Sequence, residues 1–158
     1  MFKHVLVAHD GSDFADHAAA IGEELAAKLD AKLTVCYVVD LARVASLLGF
    51  PGTAVEPAIE ALEDDGQAVL ERLTKNAARP ATTHLLSGFP PEQILRCARE
   101  HDVDLIVMGS HGRTGIARVV MGSVAEAVMR GSHCPVLIDR LANAQRHATA
   151  EVTAAATA

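Results

Sequence analysis

The run DLIVMGSHGRTGIARVVMGSVAEAVMR, Asp104 to Arg130, decides how the rest of the chain is read. Leu105-Ile106-Val107-Met108 is an unbroken apolar run, the pattern of a strand buried on both faces. Gly109, Gly112 and Gly115 follow, with Arg113 and Arg118 among and after them, and Gly122-Ser123 opens a segment of helical apolar period. Strand, glycine loop and helix start are the parts of a phosphate cradle. Glycine lets the backbone approach an anion, because it has no Cβ and accepts positive φ. The first amides of the following helix are unpaired, and the helix dipole favours negative charge there. Two common cradles are excluded, since neither G-x-x-x-x-G-K-[ST] nor G-x-G-x-x-G occurs. A Gly-rich strand-to-helix turn that holds no ligand is the plain alternative.

Composition narrows the function classes. A chain of 158 residues suits one domain that buries roughly two-thirds of its unfolded surface. Half the residues are hydrophobic, yet there are only one Tyr and four Phe and no Trp, so the core has to be built from Ala, Val, Leu and Ile. Stacking platforms for single-stranded nucleic acid are scarce, and a net charge of −6 argues against a general nucleic-acid or anionic-membrane surface. Between Leu105 and Ile138 the balance reverses, with three arginines (Arg113, Arg118, Arg130) against the single Glu126. An acidic protein with one basic loop suits a small anion. Cys36, Cys97 and Cys134 form no C-x-x-C unit, and they read as three buried small hydrophobes in a reducing compartment. No apolar run reaches membrane-spanning length, and the N-terminus runs straight into a strand, so cytoplasm is the expected location.

The rest of the chain alternates strands and helices. Phe2–Ala8 predicts a first strand. Asp10-Gly11-Ser12-Asp13 is a turn that caps a helix at Ser12 or Asp13, with Phe14, Ala18, Ile21, Leu25 and Leu29 on one stripe. Lys32–Val39 is a second fully apolar strand, which makes a βαβ unit and a parallel sheet. Leu41–Leu48 has two turns of helical character, broken by Gly49-Phe50-Pro51-Gly52; the connection from Asp40 to Pro57 reads equally as a lid or a disordered loop. A long helix is expected from Val55 to about Ala78, interrupted at Gly66. Its Glu60, Glu63, Asp64 and Asp65 have no His or Cys beside them and read as a solvated acidic face. Thr82–Leu86, Asp104–Met108 and Cys134–Ile138 complete five strands, separated by helices over Glu92–Glu100 and Ser123–Arg130. The fold class is therefore α/β, a single doubly wound five-stranded parallel sheet with helices on both faces. After Arg140 an Ala/Thr-rich tail, residues 141–158, has little to bury and is expected frayed or weakly helical.

The spacing Gly109-x2-Gly112-x9-Gly122-Ser123 resembles the ATP-binding signature of the universal stress protein family. The likeness extends to VLVAHDGSDFADHAA (Val5–Ala19) and to GFPPEQILRCA (Gly88–Ala98), and it covers residues 1–140 as one domain. It implies strand order 3-2-1-4-5 with ATP, accompanied by Mg²⁺, in the crevice between strands one and four. That crevice would join Asp10, at the end of strand one, to Gly109, at the end of strand four; ligands of such sheets sit where the strand order reverses. Asp10 is an acceptor-only carboxylate suited to the two ribose hydroxyls, and it matches the family's Asp; an Asx turn or helix cap is its local alternative. The resemblance places adenine against main-chain groups at Val39, whose side chain would add an apolar wall. Gly109, Gly112, Gly122, Ser123 and Val124 would hold phosphates through backbone N–H, with the Ser123 hydroxyl as a further donor. Ala8 and Met108, at the ends of the same two strands, complete the set, although Met108 also reads as core. Arg113 or Arg118 would reach the γ-phosphate, or be a solvated surface arginine.

No catalytic residue and no metal ligand set emerges. His9 and His111 flank the expected site, but neither has a carboxylate at a spacing that would orient it, and the other histidines show no grouping. The reading is a cytoplasmic, ATP-binding, nucleotide-responsive stress module with slow hydrolysis at most. Two alternatives stay open: a nucleotide hydrolase or transferase of the related α-hydrolase superfamily, and a dimeric interaction domain that binds nothing. The last strand, Pro135–Ile138, would lie at a sheet edge, short and apolar with charges only at Asp139 and Arg140, and the family resemblance implies a homodimer through it.

Overall fold

A computed structural model describes residues 1–48, 55–77, 79–112 and 121–140. In chain order the elements are β1 (His4–His9), α1 (Asp13–Leu29), β2 (Lys32–Asp40), α2 (Leu41–Leu48), α3 (Val55–Asn76), β3 (Ala81–Gly88), α4 (Pro90–Glu100), β4 (Leu105–Gly109), α5 (Ser123–Gly131) and β5 (Val136–Asp139). The strands form one sheet in the order β3-β2-β1-β4-β5 with every pair parallel, as expected. Predicted and observed boundaries differ by no more than two residues. The eighteen-residue tail and positions 49–54 of the supposed lid lie outside the described residues.

Alternation along β1 shows how the sheet is sandwiched. Val5 and Val7 face one side, packed with Ala18, Ala19 and Ala26 of α1 and Leu70 of α3. Leu6 and Ala8 face the other side, packed with Ile94, Cys97 and Ala98 of α4 and Ala125 and Val128 of α5. Both sets are buried, which is why the central strands read as continuous apolar runs rather than alternating ones. With few aromatic rings to fill space, the helices must come close to the sheet. Gly22 is one consequence: a Cβ there would stand 2.4 Å from Val7 Cγ2.

Gly66 is another, and it corrects an expectation. Helix α3 runs unbroken through it from Val55 to Asn76. Gly66 is buried against β2 and β3, where a Cβ would lie 2.6 Å from Tyr37 Cδ1 and 2.8 Å from Leu85 Cδ1. The glycine makes room for the tyrosine ring and does not end the helix. The acidic side chains Glu60, Asp64 and Asp65 are exposed, as read, and Glu63 accepts a hydrogen bond from Ser87 Oγ at 3.2 Å.

Local signals work at the helix starts. Ser12 is the N-cap of α1 and its hydroxyl accepts from Ala15 N at 3.2 Å. Pro90 and Pro91 open α4, where a missing N–H costs nothing. Asp104 has an unforeseen part: its carboxylate accepts from Lys3 N at 2.7 Å and His4 N at 3.0 Å, clamping the entry of β1 beside β4.

Candidate functional site

Strands β1 and β4 are neighbours, but the helices that follow them, α1 and α5, cover opposite faces of the sheet. Their carboxyl ends therefore part around a crevice. A cleft of about 340 Å³ opens there. Nine of the ten expected site residues line it: Ala8, Asp10, Val39, Met108, Gly109, Gly112, Gly122, Ser123 and Val124. The tenth, Arg113, lies outside the described residues, as do Gly115 and Arg118.

The glycines contribute close approach and not unusual backbone angles. Positive φ occurs, among described glycines, only at Gly11 and Gly88. A Cβ on Gly112 would stand 2.6 Å from Asp10 Oδ2, and one on Gly109 would stand 3.1 Å from Phe14 O. Gly112 thus meets the turn after β1, and Gly109 the first turn of α1, at contact distance because the side chains are missing. Gly122 is the N-cap of α5 at φ −71° and ψ 151°, ordinary extended backbone, with no side chain to cap the helix. Its own N–H donates to Ser110 O at 2.7 Å, so the amides left facing forward are those of the first helical turn, Ser123 and Val124.

Ser110, which no motif singled out, ties the loop together. It is fully buried, its amide donates to Asp139 O at 2.8 Å, and its carbonyl takes the Gly122 N–H. Asp10 makes the local turn and also lines the cleft. Its Oδ1 accepts from Ser12 N at 3.1 Å and from Ser12 Oγ at 2.6 Å, an Asx turn, while the residue lines the cleft with Oδ2 toward Gly112. Asp40 also lines the cleft, so Asp10 is not the only carboxylate there. Val39 lines it too, but its side chain is packed into the core with Val35 and Tyr37. Val38 and Ile94, from the other face, are better placed to give an apolar wall.

Of the two flanking histidines, His9 differs from expectation. His9 does have an orienting carboxylate: its Nε2 lies 3.0 Å from Asp16 Oδ1, which also accepts from Arg72 Nη2 at 2.6 Å. Since Gly11 N donates to His9 Nδ1 at 2.9 Å, the ring proton sits on Nε2 and donates to Asp16. Burial pushes the His9 pKa down despite the neighbouring carboxylate. Burial alone would raise that of Asp16, but the hydrogen bonds from Arg72 and His9 outweigh it and hold the carboxyl below its ordinary range. Both nitrogens of His9 are committed, and the ring is a neutral strut. His111 is buried, with Nδ1 3.0 Å from Ser110 Oγ and its ring tilted against Phe14 at 5.8 Å.

Cleft and topology together define a doubly wound parallel α/β domain with a site at its strand-order reversal, floored by a carboxylate and a glycine loop. The chain belongs to the universal stress protein family, whose family model matches residues 1–140. A universal stress protein of Methanocaldococcus jannaschii is 37% identical over 142 residues, 87% of this chain and 82% of the relative. Among solved structures, the universal stress protein UspA from Lactobacillus plantarum superposes with a TM-score of 0.72 at 28% identity, covering 88% of this chain and 98% of that one. A universal stress protein solved in complex with cAMP superposes with a TM-score of 0.66 at 27% identity, covering 88% and 97%. No helix among the described residues is long and apolar enough to cross a membrane.

Proposed function

We propose that the cleft binds an adenine nucleotide, ATP with Mg²⁺, and that the protein is a cytoplasmic, nucleotide-responsive stress module and not a fast catalyst. The observation that carries this reading is the convergence of Asp10, Gly109, Gly112, Gly122, Ser123 and Val124, from three separated stretches, on one cleft. A solved relative in complex with cAMP supports an adenine nucleotide as the ligand class. The residues fit such a ligand. The contact of Gly112 with Asp10 leaves a cradle that a Cβ would fill, and the uncapped start of α5 offers amides to phosphate. Asp10 would take the ribose hydroxyls through its acceptor carboxylate at the cleft, and Mg²⁺ would be held by phosphates and water with Asp10 or Asp40 nearby. Arg113 is kept as a γ-phosphate partner. Denaturing the purified protein and identifying the released nucleotide tests the assignment; an empty protein that also fails to bind added ATP would favour the ligand-free interaction domain.

Turnover separates this reading from a hydrolase. Hydrolysis needs an oriented water, a group to accept its proton and charge stabilisation at the transferring phosphoryl. His9 has no free nitrogen, and the backbone amides serve ground and transition states about equally, which tightens binding without raising rate. We expect ATP turnover far below the roughly 1 to 1000 per second of ordinary enzymes, with little further change in His111→Ala. Single-turnover assays with labelled ATP check this. Rapid, Mg²⁺-dependent hydrolysis abolished by His111→Ala would establish the hydrolase instead.

The homodimer is proposed through β5. That strand is at the sheet edge and half-buried over Val136–Ile138, while Asp139 is buried and paired with His17 at 2.7 Å, so its charge does not guard the edge. Light scattering at micromolar concentration should report a dimer; a monomer would remove this assignment.

A further inference from the structure

Away from the mouth of the cleft, at the other end of α4, three side chains that the sequence leaves scattered come together. His84 of β3, Cys97 of α4 and His101, the C-cap of α4, place one ligand atom each within 4.8 Å of one another. The two imidazoles stack at 4.4 Å between centroids and 24° between planes. Stacking uses ring faces and leaves the nitrogen lone pairs in the ring planes uncommitted. His84 Nε2 is buried with no hydrogen-bond partner, a condition native structures rarely tolerate without a ligand or water. The expectation that these histidines are ungrouped is thereby corrected.

We propose that His84, Cys97 and His101 form a binding site for a thiophilic divalent transition metal ion, Zn²⁺ by its ligand set. Two imidazoles and a thiolate are the donors that borderline-soft ions select, and carboxylate-preferring Mg²⁺ and Ca²⁺ do not. Tetrahedral Zn²⁺ with bonds of 2.0–2.3 Å needs ligand atoms roughly 3.3–3.6 Å apart. The set, within 4.8 Å as it stands, would close to that by side-chain rotation, giving up the ring stack. Supporting residues surround the site. Cys36, the register partner of His84 on β2, is buried in the same cluster as Cys97, and its S–H would be a donor to a thiolate bound there. His4 holds the end of α4 in place, with Nδ1 2.8 Å from His101 O and Nε2 2.8 Å from Thr34 Oγ1. Both nitrogens of His4 are occupied, so it buttresses the site and does not ligate. Solvent takes the fourth position. On binding, Cys97 releases its thiol proton to solvent and both imidazoles bind neutral, so affinity rises with pH.

The site is independent of the nucleotide reading, and its test uses the full chain, stripped of metal by chelator and free of nucleotide. Titration with Co²⁺ should give a thiolate-to-cobalt charge-transfer band that saturates at one ion per chain and is displaced by Zn²⁺. Competition with a chromophoric chelator should place the Zn²⁺ dissociation constant in the micromolar range or below. Cys97→Ser should remove the band, and His101→Gln, at a helix end, should weaken Zn²⁺ binding at least tenfold in a protein whose circular dichroism is unchanged. Cys134→Ser should leave both readouts as in the parent. No charge-transfer band at saturating Co²⁺ overturns the proposal, as does Zn²⁺ affinity unchanged in folded His101→Gln. If Cys97→Ser fails to fold, the His101→Gln result decides.

Discussion

Gly122→Val is expected to bind ATP at least tenfold more weakly, a loss of about 1.4 kcal/mol, in a protein that keeps its fold. The backbone raises no objection, since φ −71° and ψ 151° are open to valine. Space does. A Cβ at this position already stands 3.1 Å from Ser110 O and 3.7 Å from His111 Cα, and the two methyls beyond it would occupy the approach to the Ser123 and Val124 amides. Isothermal calorimetry measures the loss directly, and unchanged affinity in the folded variant would exclude this helix start as the phosphate site. Asp10→Ala gives the complementary result, weaker ATP binding with inorganic triphosphate spared, because the carboxylate is assigned to the ribose. Equal loss of both ligands would mean that Asp10 matters only through its turn with Ser12.

The largest effect on stability is expected from Gly22→Val. A Cβ at Gly22 falls 2.4 Å from Val7 Cγ2, and 3.7 Å from Val107 Cβ, on the two central strands. Val7 is 1% exposed and Val107 0%, so neither side chain has room to yield. Overpacking of this kind costs about 1–3 kcal/mol. Valine recovers only a few tenths of a kcal/mol over glycine in helix propensity. We expect a net loss of about 2 kcal/mol and a Tm lowered by roughly 4–8 °C for a chain of this size. Urea denaturation should show a lower midpoint with an unchanged slope. A midpoint equal to the parent's would mean that α1 shifts along the sheet at no cost.

Much of the fold was legible because buried parallel strands are written as continuous apolar runs. Strand ends were less so: β2 continues into Asp40 and β3 into Ser87 and Gly88, where pairing persists after hydrophobicity stops. Gly66 misled because glycine reads as a helix breaker in one dimension, while its reason, the Tyr37 ring, lies on another element. The glycine spacing of the candidate site was visible for the opposite reason, being local. What escaped were partnerships made by packing across long separations. Arg72 reaches Asp16 over 56 positions, and His17 reaches Asp139 over 122. His84, Cys97 and His101 are spaced like no local ligand motif and meet only because α4 packs beside β2 and β3. Ser110 had no distinguishing context beyond its place after Gly109.

Ser110 makes the cleft and the edge of the sheet mechanically adjacent. Its carbonyl holds the amide at the start of α5, and its own amide holds the last residue of β5. One peptide-length linkage thus joins the helix end assigned to phosphate to the strand assigned to self-association. If the cleft holds the proposed nucleotide and β5 pairs as proposed, both would load the same small piece of backbone.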